Sequence, residues 1–434
     1  MDATGRARST AFFVVGTRIS VPVLAALLLV LLSKTAVEAV SCKDERNEDV
    51  EWFFMYKMPK EASRAASVAF NKASTSPRGG EEYFYVDART PASTSRWPRS
   101  EHSVAEATGA LANTLAPLYS TNKSALNLAY ATYNDQPPNG IDGATVDSHG
   151  HTKGVILFDE QQGVWLVHSV PEFPSSLHGG RYVFPDTGRE YGQTALCVTF
   201  PTSQLDTIGM YIAPGVSNAM TDVPPPLPPR LGAGLQAERR SAASDHLHMT
   251  LPGSSSGSDV DDMESDGGYT VATKRRLKRK LPRTSSVPGP LADVYEAAVG
   301  VTLRTDVLAS TWRNGRGGKL PPACNGAGGG PRVLDVLQMR FDQASSNASL
   351  AFDNTEDHSK WAVSLPGKKW AHDKVPERGE NDDAGYVCVG SLNRMQSQLR
   401  RGGETLCFRN AMLHGLLLNS VVSHDTCPRN AAAA

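Results

Sequence analysis

The chain has no strong net charge and no C-x-x-C pair. It has no G-K-[ST] after its glycine-rich loop and, beyond Leu32, no apolar run long enough to cross a bilayer. Each absence narrows the reading. A formal charge of −1 means there is no standing basic stripe of the kind most polyanion binders carry. Scattered cysteines without C-x-x-C exclude a zinc knuckle. The run Gly326–Gly330 is followed by no G-K-[ST], so it is not a phosphate loop. Ser169 lacks the G-x-S-x-G setting of a serine hydrolase elbow. No later segment approaches the roughly 20 apolar residues of a membrane helix.

What is present points to the secretory route. Arg6, Arg8 and Arg18 precede the apolar run Val21–Leu32, and Val37-Glu38-Ala39 offers small residues for cleavage. Residues 1–39 therefore read as a signal peptide, with an uncleaved anchor as the other reading. Secretion makes Cys42, Cys197, Cys324, Cys388, Cys407 and Cys427 a disulfide set, and six cysteines allow about 15 pairings among which sequence physics does not choose. Two sequons, at Asn122 and Asn347, fit N-glycosylation on that route. The 11 histidines matter to charge, because protonating all of them carries the formal value from −1 to +10. In an acidic compartment this protein becomes a polycation.

A length of 434 residues leaves room for two lobes, and 40% apolar residues suffice for packed cores. Aromatic and β-branched runs predict strands at 50–57, 83–86, 163–170, 333–337 and 386–389. A helical pattern covers 102–115. From 214 to 290 the composition changes to a proline cluster at Pro224–Pro229, a Ser/Gly run at 253–258, an acidic patch at Asp259–Asp266 and a basic cluster at Lys274–Lys280. Such a stretch buries too little apolar surface to offset its ordering entropy, and it reads as a disordered insertion; its basic cluster reads first as a solvated charge block, with a DNA-holding arm, a processing site or a nuclear signal as the other readings. The expected domains are thus 40–213 and 291–434.

One tripeptide pattern occurs twice. His151-Thr152-Lys153 precedes Gly154-Val155-Ile156-Leu157-Phe158, and His358-Ser359-Lys360 precedes Trp361-Ala362-Val363. Alternate residues of a strand share a face, so each H-x-K sets an imidazole beside an ammonium. Two copies brought together suit phosphodiester cleavage without metal: one histidine attacks phosphorus, the other protonates the leaving oxygen, and the lysines hold the anionic oxygens. His168 lies in an apolar strand, where a core histidine and a catalytic helper are both open readings. Asn393 reads equally as a turn residue. His149 and His151 form an H-x-H that could seat zinc, but no third ligand stands near in sequence.

Four blocks extend the pattern: Trp52–Lys60, His151–Gly154 with Trp165–Pro174, Tyr191–Val198, and His358–Trp361 with Cys388–Met395 and Arg401-Gly402-Gly403. From Cys42 to about Cys427 the chain resembles the deoxyribonuclease II family. The resemblance implies a mixed α/β, phospholipase D-like fold: two similar lobes, each a β-sheet flanked by helices, meeting at a shared site. It implies a secreted or lysosomal acid endonuclease that needs no metal or cofactor, acts on DNA and leaves 3′-phosphate ends. His151, Lys153, His358 and Lys360 match the family's paired H-x-K, and His168 its V-H-S-V-P histidine. Asn393 matches the asparagine of its G-D-x-N-R-M segment. The implied disulfides are Cys42–Cys197, Cys324–Cys427 and Cys388–Cys407. Three positions depart from the family: Ser391 replaces an aspartate, Glu404 a third glycine and His414 an aromatic residue. A phosphodiesterase of the same fold with another substrate, and a non-catalytic DNA-binding homologue, are the alternatives.

Overall fold

The computed structural model describes residues 39–69, 79–120, 128–138, 150–177, 180–206, 208–209, 220–222, 249–251, 269–274, 293–315, 317–324, 330–345, 348–365, 385–399 and 401–428. Residues 1–38, His149 and both sequon asparagines, Asn122 and Asn347, lie outside them. Among the described residues no helix is long and apolar enough to cross a membrane.

The first lobe carries β1 (Cys42–Lys43), β2 (Asp49–Val50), β3 (Trp52–Lys57), β4 (Tyr83–Asp87), β5 (Ala129–Asn134), β6 (Lys153–Phe158), β7 (Gln162–His168), β8 (Gln193–Pro201) and β9 (Met220–Asp222). Its helices are α1 (Lys60–Ala69) and α2 (Ala110–Tyr119). Seven of the strands form one sheet in the order β4-β3-β8-β7-β6-β5-β9. The second lobe carries β10 (Met249–Leu251), β11 (Tyr269–Lys274), β12 (Val307–Ser310), β13 (Val333–Asp342), β14 (Ser349–Asp353), β15 (Trp361–Ser364), β16 (Tyr386–Gly390), β17 (Gly403–Arg409) and β18 (Val421–His424), with α3 at Ala411–Asn419. These strands form a nine-stranded sheet in the order β10-β11-β17-β16-β15-β12-β13-β14, with β18 on β13.

The strands are apolar on both faces because both faces are covered. In β3, Trp52, Phe54 and Tyr56 join a core shared with Phe341, Trp361, Val389 and Leu406 of the second sheet. The alternate residues Phe53 and Met55 pack with Leu111 and Leu115 of α2. The two sheets therefore meet face to face. Trp52 lies 5.4 Å from Phe408 and Tyr56 lies 4.7 Å from Phe341, ring centre to ring centre. Three disulfides join Cys42 of β1 to Cys197 of β8, Cys324 to Cys427, and Cys388 of β16 to Cys407 of β17.

Two stretches differ from the sequence expectation. The helix expected over 102–115 begins only at Ala110. Before it, serine hydroxyls capture the backbone: Ser100 Oγ accepts from the His102 N–H and Ser103 Oγ from the Ala105 N–H. Gly109 then takes a φ of 98°, which ends any continuous helix there. Within 214–290, β9, β10 and β11 are laid down. Tyr-Thr-Val-Ala-Thr of β11 is a strand-forming run, and it pairs antiparallel with β17 from Tyr269↔Phe408 to Lys274↔Gly403. The rest of that span lies outside the described residues.

Candidate active site

β6 and β7 form a hairpin in the first sheet, and β15 and β16 form its counterpart in the second. Each H-x-K sits at the start of its hairpin, and each histidine is held by the opposite lobe. The His151 backbone N–H donates to the Gly402 carbonyl at 2.8 Å, and its Nδ1 meets the Ser391 carbonyl oxygen. The His358 backbone N–H donates to the Gly192 carbonyl at 2.9 Å, and its Nδ1 lies 3.2 Å from the Ser169 carbonyl oxygen. Ser391 follows β16 as Ser169 follows β7, and Gly402 precedes β17 as Gly192 precedes β8. The same contacts thus occur twice, related by a pseudo-twofold between lobes. A carbonyl accepts, so an Nδ1 facing it carries the proton and Nε2 keeps the lone pair. That tautomer suits attack or proton exchange at Nε2.

The two lysines differ. Lys153 is buried and its Nζ forms an ion pair with Asp135, directly after β5. Arg401 Nη2 donates to the other Asp135 oxygen and to the Gly150 carbonyl, both at 2.9 Å. Burial works against the Asp135 charge, but Lys153, His151 and Arg401 outweigh it and hold this carboxyl below the usual range. Lys360 donates to the His358 carbonyl at 2.6 Å and lies 3.1 Å from His358 Nδ1. That nitrogen can donate to Ser169 or accept from Lys360, but not both at once. Burial first, then the Lys153 charge, push the Lys360 ammonium well below its ordinary value.

Electrostatics make both histidines reluctant bases. Burial, then Lys153, Arg401 and Lys360, drive His151 well below the ordinary imidazole value, against the pull of Asp135. His358 is driven the same way by burial, Lys360, Lys153 and His151. Two lysines and an arginine, offset in part by the Asp135 carboxylate, thus surround two neutral imidazoles. An arriving phosphate would restore the basicity that burial removed.

The remaining expected residues are placed as follows. His168, at the end of β7, is buried edge-on to Phe173 with ring centres 5.2 Å apart. Its Nδ1 accepts from the Val170 N–H at 3.2 Å, so Nε2 carries the hydrogen, and Nε2 has no partner among the described residues. Burial and Lys153 push it down to about 3. It is therefore a neutral histidine, and one left polar and unsatisfied. Asn393 is buried beyond β16, and its Oδ1 also lacks a partner among the described residues. His414 sits on α3, where its Nε2 lies 2.8 Å from the Ser364 carbonyl oxygen, a packing role.

Sequence reasoning did not single out Asp135 as the counter-charge of Lys153, nor Arg401 as its second partner. Nor did it find Tyr56, whose hydroxyl crosses from β3 to donate to Asp357 Oδ2 at 2.8 Å, beside the second H-x-K. In the sequence Glu404 stands out only as a departure from the family pattern. It is fully buried, and its Oε2 accepts from Thr152, the middle residue of the first H-x-K.

Each of the two lobes thus contributes a histidine and a lysine to one buried cluster. Comparison with known proteins gives the family. The sequence model of the family Deoxyribonuclease II matches residues 41–427. Deoxyribonuclease-2-alpha of Rattus norvegicus is 32% identical over 385 residues, 88% of this chain and 93% of the relative. Plancitoxin-1 of Acanthaster planci is 31% identical over 396 residues, 90% and 93% of the two chains. Deoxyribonuclease-2 of Caenorhabditis elegans is 30% identical over 414 residues, 90% and 95%. The chain belongs to the deoxyribonuclease II family and is a hydrolase of that type.

Proposed function

We propose that this protein is an acid endodeoxyribonuclease that cuts double-stranded DNA through a phosphohistidine, without metal, leaving 3′-phosphate and 5′-hydroxyl ends. The observation that carries the reading is the cross-lobe pinning of both H-x-K histidines by equivalent carbonyls. One Nε2 attacks phosphorus and forms a P–N bond as the P–O5′ bond breaks. The other histidine gives its proton to the departing O5′. It then takes a proton from water, whose oxygen displaces the first histidine and releases the 3′-phosphate. By family resemblance His151 is the nucleophile and His358 the acid and base. Lys153 and Lys360 neutralise the phosphoryl oxygens. Asn393 and His168 supply N–H donors from buried positions.

The acid requirement follows from the site. Burial and neighbouring cations keep both histidines neutral, so the acid form of one needs low pH and a bound phosphate together. Contacts to phosphate carry little sequence information, so base preference is weak. The N-terminal segment 1–39, the two sequons and the three disulfides fit an enzyme of the secretory route that works in a lysosome, an acidic vacuole or outside the cell.

The test is nicking of supercoiled plasmid by secreted His151→Ala, His358→Ala and the double variant. Each single variant loses cleavage, and the double variant is no worse, because the two groups act as one unit. Substantial nicking by either single variant breaks the mechanism.

A further inference from the structure

A line of three aromatic rings leads from the phosphate site to solvent. His358 packs on Trp312 with ring centres 5.3 Å apart, and Trp312 packs on Tyr191 at 4.6 Å. Trp312 follows β12 in the second lobe and is half-buried. Tyr191 comes from the first lobe, just before β8, and is 37% exposed, one of few large apolar side chains to reach the surface among the described residues. It adjoins Gly192, whose carbonyl holds the His358 backbone. The outer two rings are tilted by 58°, so they make a stepped surface and not a closed slot.

We infer that Tyr191 and Trp312 form a stacking platform for an unstacked nucleobase next to the scissile phosphate. This rests on the nuclease reading above. The occupant follows from continuity: the platform begins at a ring that touches the reacting phosphate, and a nucleotide held there by its phosphate has one flat apolar part left to place. Every base has a π-face, so stacking adds affinity without sequence preference. Its rings come one from each lobe, so the platform exists only where the lobes bring the two histidines together. It also supplies a binding contribution that the phosphate contacts lack: the lysines hold any phosphodiester, whereas an aromatic step favours one that carries a base.

The experiment uses single-stranded oligothymidylates with one abasic (tetrahydrofuran) nucleotide on the 5′ or the 3′ side of a mapped bond, cut at acid pH. The wild-type protein cuts the bond about tenfold more slowly when the abasic nucleotide lies on one of the two sides, the size of one base–aromatic stack. Y191A and W312A cut the bond between thymidines at that lower rate and lose the distinction, while Y191F keeps it. A platform that served only to glue the lobes would lower stability in Y191A and leave the distinction intact. Equal wild-type rates on all oligonucleotides, or an undiminished distinction in Y191A, overturn the proposal. No cleavage of any single strand while plasmid is cut overturns the platform alone. No cleavage of plasmid overturns the nuclease reading with it.

Discussion

Replacing Glu404 by glutamine tests the electrostatics of the site without touching a group that reacts. Glu404 is fully buried beside Lys153, Asp135 and Tyr133, with Ser391 and Thr152 packed on it and Lys274 of β11 opposite Gly403 in register. Burial pushes its carboxyl up from 4.5 to about 7, and the Thr152 hydroxyl offsets only part of this. A carboxyl whose folded value is raised binds more protons folded than unfolded, so it makes stability fall as pH rises between those two values. A shift from 4.5 to about 7 corresponds to about 3 kcal/mol. Glutamine keeps the shape and the acceptor for Thr152 but never ionises. Thermal melts of wild type and E404Q should therefore differ by a small constant below pH 4.5. They should separate steadily up to pH 7 in favour of E404Q, and run parallel above it. In activity the variant matches the wild type at acid pH and retains more cleavage near neutrality, where the wild type sets a carboxylate beside Lys153. An offset independent of pH would refute the argument, since Glu404 would then titrate alike in the folded and unfolded chain.

Three further outcomes follow from the same contacts. Asp135→Ala strips buried Lys153 of its counter-charge and should cost about 3–5 kcal/mol, much of it recovered in D135A/K153M, as a double-mutant cycle would measure. Asp135 lies below the usual carboxylate range, so its contribution is lost only as pH falls through that low value, and the penalty should be equal at pH 5 and pH 7. Tyr56→Phe removes a buried donor to Asp357 and should cost about 1–3 kcal/mol in urea melts, with kcat falling more than KM changes. Replacing Cys42 and Cys197 by serine opens a link between residues 155 apart, worth about 5 kcal/mol by chain entropy, which differential scanning calorimetry would register.

The two H-x-K patterns are legible in the sequence because they are local. Each H-x-K is three residues long, and the strand that follows it is a run of apolar side chains, so the pairing of imidazole with ammonium is written in neighbouring letters. The main strands are legible for the same reason: β3, β4, β7, β13 and β16 are dense in aromatic and β-branched residues. What holds the site is not local. Asp135 and Arg401 meet across 266 positions, and Tyr56 and Asp357 across 301. No periodicity reports such a contact. The pattern at 102–115 misleads for the opposite reason, because serine caps and one positive-φ glycine override residues that look helical. β11 was hidden by its flanks, since a short strand-forming run is diluted by the Ser/Gly and basic stretches on either side.

The central claim is that two histidines, each needing the other in the opposite protonation state, cut DNA without metal. The direct measurement is the rate of supercoiled plasmid cleavage across a pH series from 3 to 9, in EDTA and in magnesium. The account predicts a bell with an acidic maximum, weakened by added salt as phosphate contacts are screened and unchanged by EDTA. Loss of cleavage in EDTA, or a maximum in the alkaline range where metal ligands have shed their protons, would contradict it.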